Sequence, residues 1–192
     1  ENCEGLLVPH PVKGKVEHGF FSIYDSMRYT KATAAAPNAG ADPRAADGIA
    51  GALPAGATVT VIGHSLGAAM GTYLMVDAAV KIGGNAVSGS LFASPNTGDG
   101  EFVKYVDSKV ATYSLYNYWA DAVPRLPLRI PFDPMELGFQ PLPKATWITK
   151  NNRQARIDSN LQCNHHAYCY AAMLDFTSIA SETIGKCVTG KA

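Results

Sequence analysis

The sequence predicts an α/β fold built on a largely parallel sheet. Three observations predict it. Strand-like and helix-like segments alternate from residue 58 to residue 149. A β-rich run over 58–62 passes through Gly63-His64-Ser65-Leu66-Gly67 and enters a helical pattern over 68–82 with no linker between them. Finally, 47% of the 192 residues are hydrophobic, enough for one core. No repeat or linker divides the chain, so a single domain over 1–192 is expected.

Residues 1–15 are punctuated by Gly5, Pro9, Pro11 and Gly14 and read as an irregular lead-in. From Val16 the pattern changes. Phe20, Ile23, Tyr24 and Met27 recur at helical spacing, which predicts a helix packed on a sheet. His18 in that segment reads as a surface or satisfied histidine rather than a group serving the site. Residues 34–43 form an Ala, Gly and Pro loop, and 44–53 a short helix. The helix after Ser65 stops at Gly83-Gly84-Asn85. Strands follow at 87–93 and 111–117, with a helix over 101–106 between them. Residues 127–143 are a proline-broken loop with Phe132, Met135, Leu137 and Phe139, read either as a wall of an apolar pocket or as a plug for a satellite core. An edge strand at 147–149 and a final helix over 163–179, with His165 and His166 near its start, complete the reading.

Composition excludes several classes. Lys plus Arg is 16 and Asp plus Glu is 16, with no basic stripe, which argues against nucleic acid as a partner. No clean run of eighteen apolar residues exists, so no transmembrane segment is expected. Charged residues are only 17%, so some apolar surface is expected. The cysteines Cys3, Cys163, Cys169 and Cys187 lack zinc-site spacing, and neither metal nor cofactor is implied. They allow two disulfides in three connectivities, or free buried thiols. The expectation is a secreted, extracellular chain with at least one bridge.

Strand, tight turn and helix around Gly-x-Ser-x-Gly is the setting of a nucleophile elbow. Taken bare, a serine between glycines is more often a loop residue; the strand before it and the small-residue helix after it favour the nucleophile. Ser65 would stand on a strained turn, with the Leu66 N–H at the helix start facing an oxyanion formed there. Gly63 and Gly67 would leave room where strand and helix nearly touch. A serine nucleophile needs a base and an acid to orient that base. Asp121 lies just past a strand end, and His165 or His166 lies downstream. Asp99 and Asp133 compete with Asp121; Asp99 comes one crossover too early, and Asp133 sits deep in the proline loop.

From Val16 to about Met173 the chain resembles the class 3 lipases, secreted fungal α/β-hydrolases. Glu17-His18-Gly19-Phe20 matches part of the family's first helix start. Residues 61–69 match its nucleophile motif, with Ala68 in place of a glycine. Phe92-Ala93-Ser94-Pro95-Asn96-Thr97-Gly98-Asp99 is similar to the family turn, with Asn96 where Arg is common. Asp121-Ala122-Val123-Pro124-Arg125-Leu126-Pro127 resembles the acid motif and implies Asp121 as the catalytic acid. Asn164-His165-His166-Ala167-Tyr168 resembles the family's D-H-x-x-Y end, which implies His165 rather than His166, with Asn164 replacing the acid. The resemblance implies an α/β-hydrolase-like fold and a serine hydrolase of carboxylic esters. Its substrate would be triacylglycerol or another acyl lipid, bound at an interface. Phospholipase A1-like and feruloyl-type esterases are alternatives, as is a non-catalytic remnant binding lipid or protein. The family also carries an earlier section whose Ser or Thr completes the oxyanion hole, and no such segment precedes Val16. The chain is therefore expected to be a fragment, a processed product with a second chain supplying that section, or a reduced domain that completes the hole differently.

Overall fold

The computed structural model describes residues 5–30, 42–128, 138–179 and 187–192. Strands β1 (Leu7–Pro9) and β2 (Lys15–Glu17) form an antiparallel pair ahead of α1 (His18–Ser26). Helix α2 (Ala45–Ala52) is followed by β3 (Val59–His64), α3 (Leu66–Ile82) and β4 (Val87–Phe92). Next come β5 (Gly98–Asp99), α4 (Gly100–Lys109), β6 (Thr112–Tyr118), β7 (Phe139–Gln140), β8 (Ala145–Ile148) and β9 (Ala155–Ile157). Helices α5 (Leu161–His165) and α6 (Ala167–Leu174) precede the last strand, β10 (Val188–Lys191).

The central sheet has the order β3-β4-β6-β8, and every neighbouring pair is parallel. Helices α3 and α4 make the crossovers, so the carboxyl ends of all four strands lie at one end of the sheet. Side chains alternate as a pleated strand requires. Val61, Val87, Leu91, Tyr113 and Leu115 meet α3 through its Ala68, Met75 and Val76. Gly71 lets α3 approach closely, since a Cβ there would lie 3.1 Å from both Leu91 and Val61 side chains. On the opposite face Tyr118 and Ile148 pack with Cys169, Tyr170 and Met173 of α6. That second layer reaches β6 and β8. Over β3 and β4 the same face is open: the Thr60 and Ser88 hydroxyls pair at 3.0 Å, and Ile62 is 72% exposed. Among the described residues β3 pairs with β4 alone, which makes it an edge.

Two expectations need correction. The lead-in over 1–15 is not irregular throughout, because Leu7–Pro9 pairs with Lys15–Glu17, and β2 also pairs with β5. The glycines and prolines that read as irregular structure are the punctuation of a hairpin. Gly14 turns it at φ +73°, where a Cβ would lie 2.3 Å from the Phe102 nitrogen. The pairing places Glu17 fully buried, with its carboxylate accepting Phe20 N–H at 2.7 Å and Gly5 N–H at 3.2 Å as the cap of α1. The final helix over 163–179 is also not one piece. His166 is extended (φ −71°, ψ 133°), so His165 ends one helix instead of starting another. A side-chain cap marks the break: His166 Nδ1 accepts Tyr168 N–H at 3.2 Å and starts α6, while α5 has its own cap in Asn160, whose Oδ1 accepts Cys163 N–H at 2.8 Å.

Of the apolar side chains in the proline loop, Phe132, Met135 and Leu137 lie outside the described residues. Phe139 is buried in β7, and Leu142 belongs to the main core, so this part of the loop fills the core. A Cys163–Cys187 disulfide joins α5 to the start of β10, while Cys169 is a free, buried thiol. Cys3 lies outside the described residues. No helix of the described residues is long and apolar enough to cross a membrane.

Leu91 has no exposed surface and touches α3 from the middle of the sheet. Leu91→Ala is expected to lower unfolding stability by about 2–5 kcal/mol in urea titration, whereas Ile62→Ser should stay within about 0.5 kcal/mol.

Candidate active site

The end of β3 fixes the first group. The chain leaves His64 and turns at Ser65 with φ +58° and ψ −126°, a conformation that costs a side-chain-bearing residue about 1–3 kcal/mol. Neighbouring bonds hold it there. Ser65 N–H donates to Phe92 O at 3.0 Å, and the Ser65 carbonyl accepts Ala68 N–H at 2.9 Å. Gly63 is required by the crossing that follows, since a Cβ on it would lie 2.3 Å from Gly67 O and 2.8 Å from Ala68 N. Gly67 has no such need, because a Cβ there would meet nothing within 4 Å. Leu66 opens α3, so its N–H has no acceptor within the helix and points with the positive end of the helix dipole.

The end of β6 fixes the second group. Asp121 N–H donates to Tyr118 O at 3.0 Å in a tight turn, and the Asp121 carboxylate is only 1% exposed. Three donors reach it. His165 Nδ1 lies 2.8 Å from Oδ2, Tyr170 O–H donates to the same oxygen at 2.8 Å, and Val123 N–H donates to Oδ1 at 3.0 Å. A carboxylate accepts only, so Nδ1 carries the proton and Nε2 is left as an acceptor. That Nε2 lies 2.7 Å from Ser65 Oγ. Ser65, His165 and Asp121 thus form one hydrogen-bonded row, gathered from β3, α5 and the loop after β6. Such a row can take the serine proton while the buried carboxylate stabilises the imidazolium that results.

The competing residues are elsewhere. Asp99 is the cap of α4, its Oδ1 accepting Phe102 N–H at 2.8 Å. His166 caps α6 and stacks on Tyr168. Asp133 lies outside the described residues. Tyr168, matched to the family's end motif, is 60% exposed, and the tyrosine that meets Asp121 is Tyr170. Sequence reasoning missed Tyr170, although a tyrosine within the apolar run 167–174 carries a hydroxyl that needs a buried partner. Its oxygen also accepts Tyr118 N–H at 2.8 Å, which ties α6 to the end of β6. Burial and then the Asp121 charge push the Tyr170 hydroxyl well above its ordinary value, so it stays a donor.

Asn164 replaces the acid of the end motif for a visible reason. Its Nδ2 donates to Ala120 O at 3.2 Å, a bond that an aspartate could not make. His64 packs on His165, with ring centroids 4.8 Å apart. Burial, and then the neighbouring His165, hold the His64 imidazole below its usual range. A cleft of about 640 Å³ opens beside His165 and Asp121, with Ala122, Val123, Leu161 and Ala167 among its walls. Among the described residues, no group of three His, Cys, Asp or Glu side chains converges as metal ligands would.

The model of the lipase (class 3) family matches residues 3–130, more than half of the chain. The chain belongs to the class 3 lipase family. This class 3 lipase chain is 38% identical over 96 residues to a secreted mono- and diacylglycerol lipase of Malassezia globosa, a match covering 49% of this chain and 29% of that protein. The native Rhizomucor miehei lipase propeptide complex aligns with a TM-score of 0.57 at 24% identity, over 76% of this chain and 43% of that one. Lipase II from Rhizopus niveus gives 0.54 at 22%, over 77% and 51%. These likenesses show the α/β-hydrolase fold. The chain spans under a third of the Malassezia relative's length and about half of each fungal structure.

Tyr170→Phe leaves the buried Tyr118 N–H without an acceptor and removes one donor from Asp121. Urea unfolding is expected to show a loss of about 1–3 kcal/mol, with the helix content of the folded state unchanged by circular dichroism.

Proposed function

We propose that this chain carries the catalytic centre of a lipase that hydrolyses carboxylic esters of acyl glycerols. The observation that supports this most directly is the row Ser65 Oγ, His165 Nε2, His165 Nδ1 and Asp121 Oδ2, with both links under 3 Å. Ser65 attacks the ester carbonyl as His165 removes its proton. The tetrahedral oxyanion takes the Leu66 N–H, a donor fixed before the reaction begins. His165 then passes the proton to the leaving alcohol, and water repeats the cycle on the acyl-enzyme. Asp121 keeps Nδ1 protonated throughout. The apolar cleft beside His165 and Asp121 suits an acyl chain, and the Malassezia relative is named for mono- and diacylglycerols. That relative is also named as secreted, and the Cys163–Cys187 bridge fits an oxidising compartment.

The role assignments are tested by substitution. Ser65→Ala, His165→Ala and Asp121→Asn are each expected to lower kcat on a soluble p-nitrophenyl ester by about 10³-fold or more, with double variants little worse than single ones. His166→Ala and Asp99→Asn should stay within about tenfold of the parent, since their side chains cap helices. Parent-like turnover by Ser65→Ala would remove the nucleophile from the scheme.

We infer further that another segment of chain lies along β3 and supplies a second oxyanion donor. The support is the exposed Ile62 and the unpaired outer side of β3 among the described residues. An apolar strand left unpaired at a sheet edge invites pairing with another segment. One missing oxyanion donor costs about 10²–10³ in kcat. Residues 1–192 alone should therefore turn over a soluble ester that much more slowly than the same chain joined to a segment pairing with β3. Equal turnover by a monomer of each in native mass spectrometry would rule the segment out.

A further inference from the structure

Both tryptophans of the chain, Trp119 and Trp147, stand partly in water. Trp119 follows β6 and Trp147 lies in the edge strand β8, and each has about 40% of its surface exposed. A large apolar ring is not left at a surface by lack of room elsewhere, because burying it is worth more than burying most other side chains. Two basic side chains lie on these rings. The Arg125 guanidinium is 5.2 Å from the centre of the Trp147 ring, and Lys150 Nζ is 5.7 Å from that of Trp119. Arg125 also donates to the carbonyls of Asp121 and Trp119, which joins the two rings and their cations into one patch. Leu126 and Leu128, a few residues along the chain, are exposed as well.

Charge is as uneven here as it is balanced over the whole chain. Residues 138–157 contain Lys144, Lys150, Arg153 and Arg156 and no Asp or Glu, although Lys144 is paired with Asp107 outside the segment. Among the described residues no carboxylate forms an ion pair with Arg125 or Lys150. Asp121, the acid nearest in sequence to Trp119, is buried and turned toward His165. The patch therefore presents aromatic rings beside uncompensated cations. That combination matches the boundary between headgroups and acyl chains of an anionic bilayer, where indole rings settle and Lys and Arg meet phosphate.

Position adds to composition. The parallel sheet puts the carboxyl ends of β3, β6 and β8 at one end of the molecule, so the patch sits at the same end as Ser65. It also shares a loop with Asp121, since Trp119 and Arg125 flank that residue. We propose that Trp119, Trp147, Arg125 and Lys150 form a docking surface for a lipid interface carrying anionic headgroups, which holds the Ser65 end of the sheet against the aggregate. The proposal rests on the lipase reading for its purpose and not for its test.

Because the chain has no other tryptophan, its fluorescence reports the patch alone. The experiment uses the full chain with Ser65→Ala, so that no lipid is consumed. Vesicles of phosphatidylcholine, and of phosphatidylcholine mixed with phosphatidylglycerol, are titrated with and without brominated acyl chains. Expected results are a blue shift and bromine quenching on the mixed vesicles, weaker binding on phosphatidylcholine alone, and loss of binding at high salt. Lys150→Glu should weaken binding to the mixed vesicles by about tenfold or more. Trp147→Ala should weaken it on both vesicle types. Three outcomes overturn the proposal: no shift or quenching on any vesicle, binding without bromine quenching, or binding equally strong on neutral vesicles and unaltered by Lys150→Glu. Vesicle binding by Ser65→Ala does not depend on turnover. Failure here with a catalytically competent parent would therefore count against the patch alone, and docking with an inert parent would count against the catalytic reading alone.

Discussion

The Asp121 carboxylate is the constraint on which the arrangement of this half of the molecule depends. A carboxyl group at 1% exposure must be given hydrogen-bond partners, because a buried polar group without them is costly. Here the donors come from three places: Val123 in its own loop, His165 at the end of α5, and Tyr170 in α6. Meeting that demand draws the C-terminal helices onto the end of β6, and the same contacts set the imidazole toward Ser65. Structural need and chemical alignment are thus served by the same hydrogen bonds.

Ser65 faces a different constraint, backbone geometry. Its left-handed turn exists because strand and helix must reverse within one residue, and Gly63 is the position where the crossing allows no side chain. The turn is held by a bond to the last residue of β4, so the place of the Ser65 hydroxyl depends on the parallel sheet being formed. Gly67, by contrast, borders open space, so a side chain there would meet nothing.

Much of this was legible in the sequence where local pattern and tertiary demand agree. The alternation of strands and helices, the strand, turn and helix around Ser65, and the place of Asp121 just past a strand could be read from residue type and spacing; spacing left His165 and His166 open, and the family resemblance implied His165. What escaped was set by partners distant in sequence or by single side chains. The β1–β2 hairpin is too short and too rich in Pro and Gly to show a period. The break between α5 and α6 depends on His166 turning its ring to cap a helix, a choice that an apolar pattern over 167–174 does not reveal. Tyr170 sits five residues beyond His165 with the helix break between them, so neither helical nor strand spacing links the two. Only the place where β6 ends makes that tyrosine a neighbour of the acid.

The bridge between Cys163 and Cys187 closes a ring of chain, and both side chains that reach Asp121 from the C-terminal helices, those of His165 and Tyr170, lie within that ring. In an unfolded but oxidised molecule the ring persists and keeps the two within a confined volume. Regaining the site is then the docking of one closed loop onto the end of a sheet, rather than the separate capture of an imidazole and a phenol by a lone carboxylate.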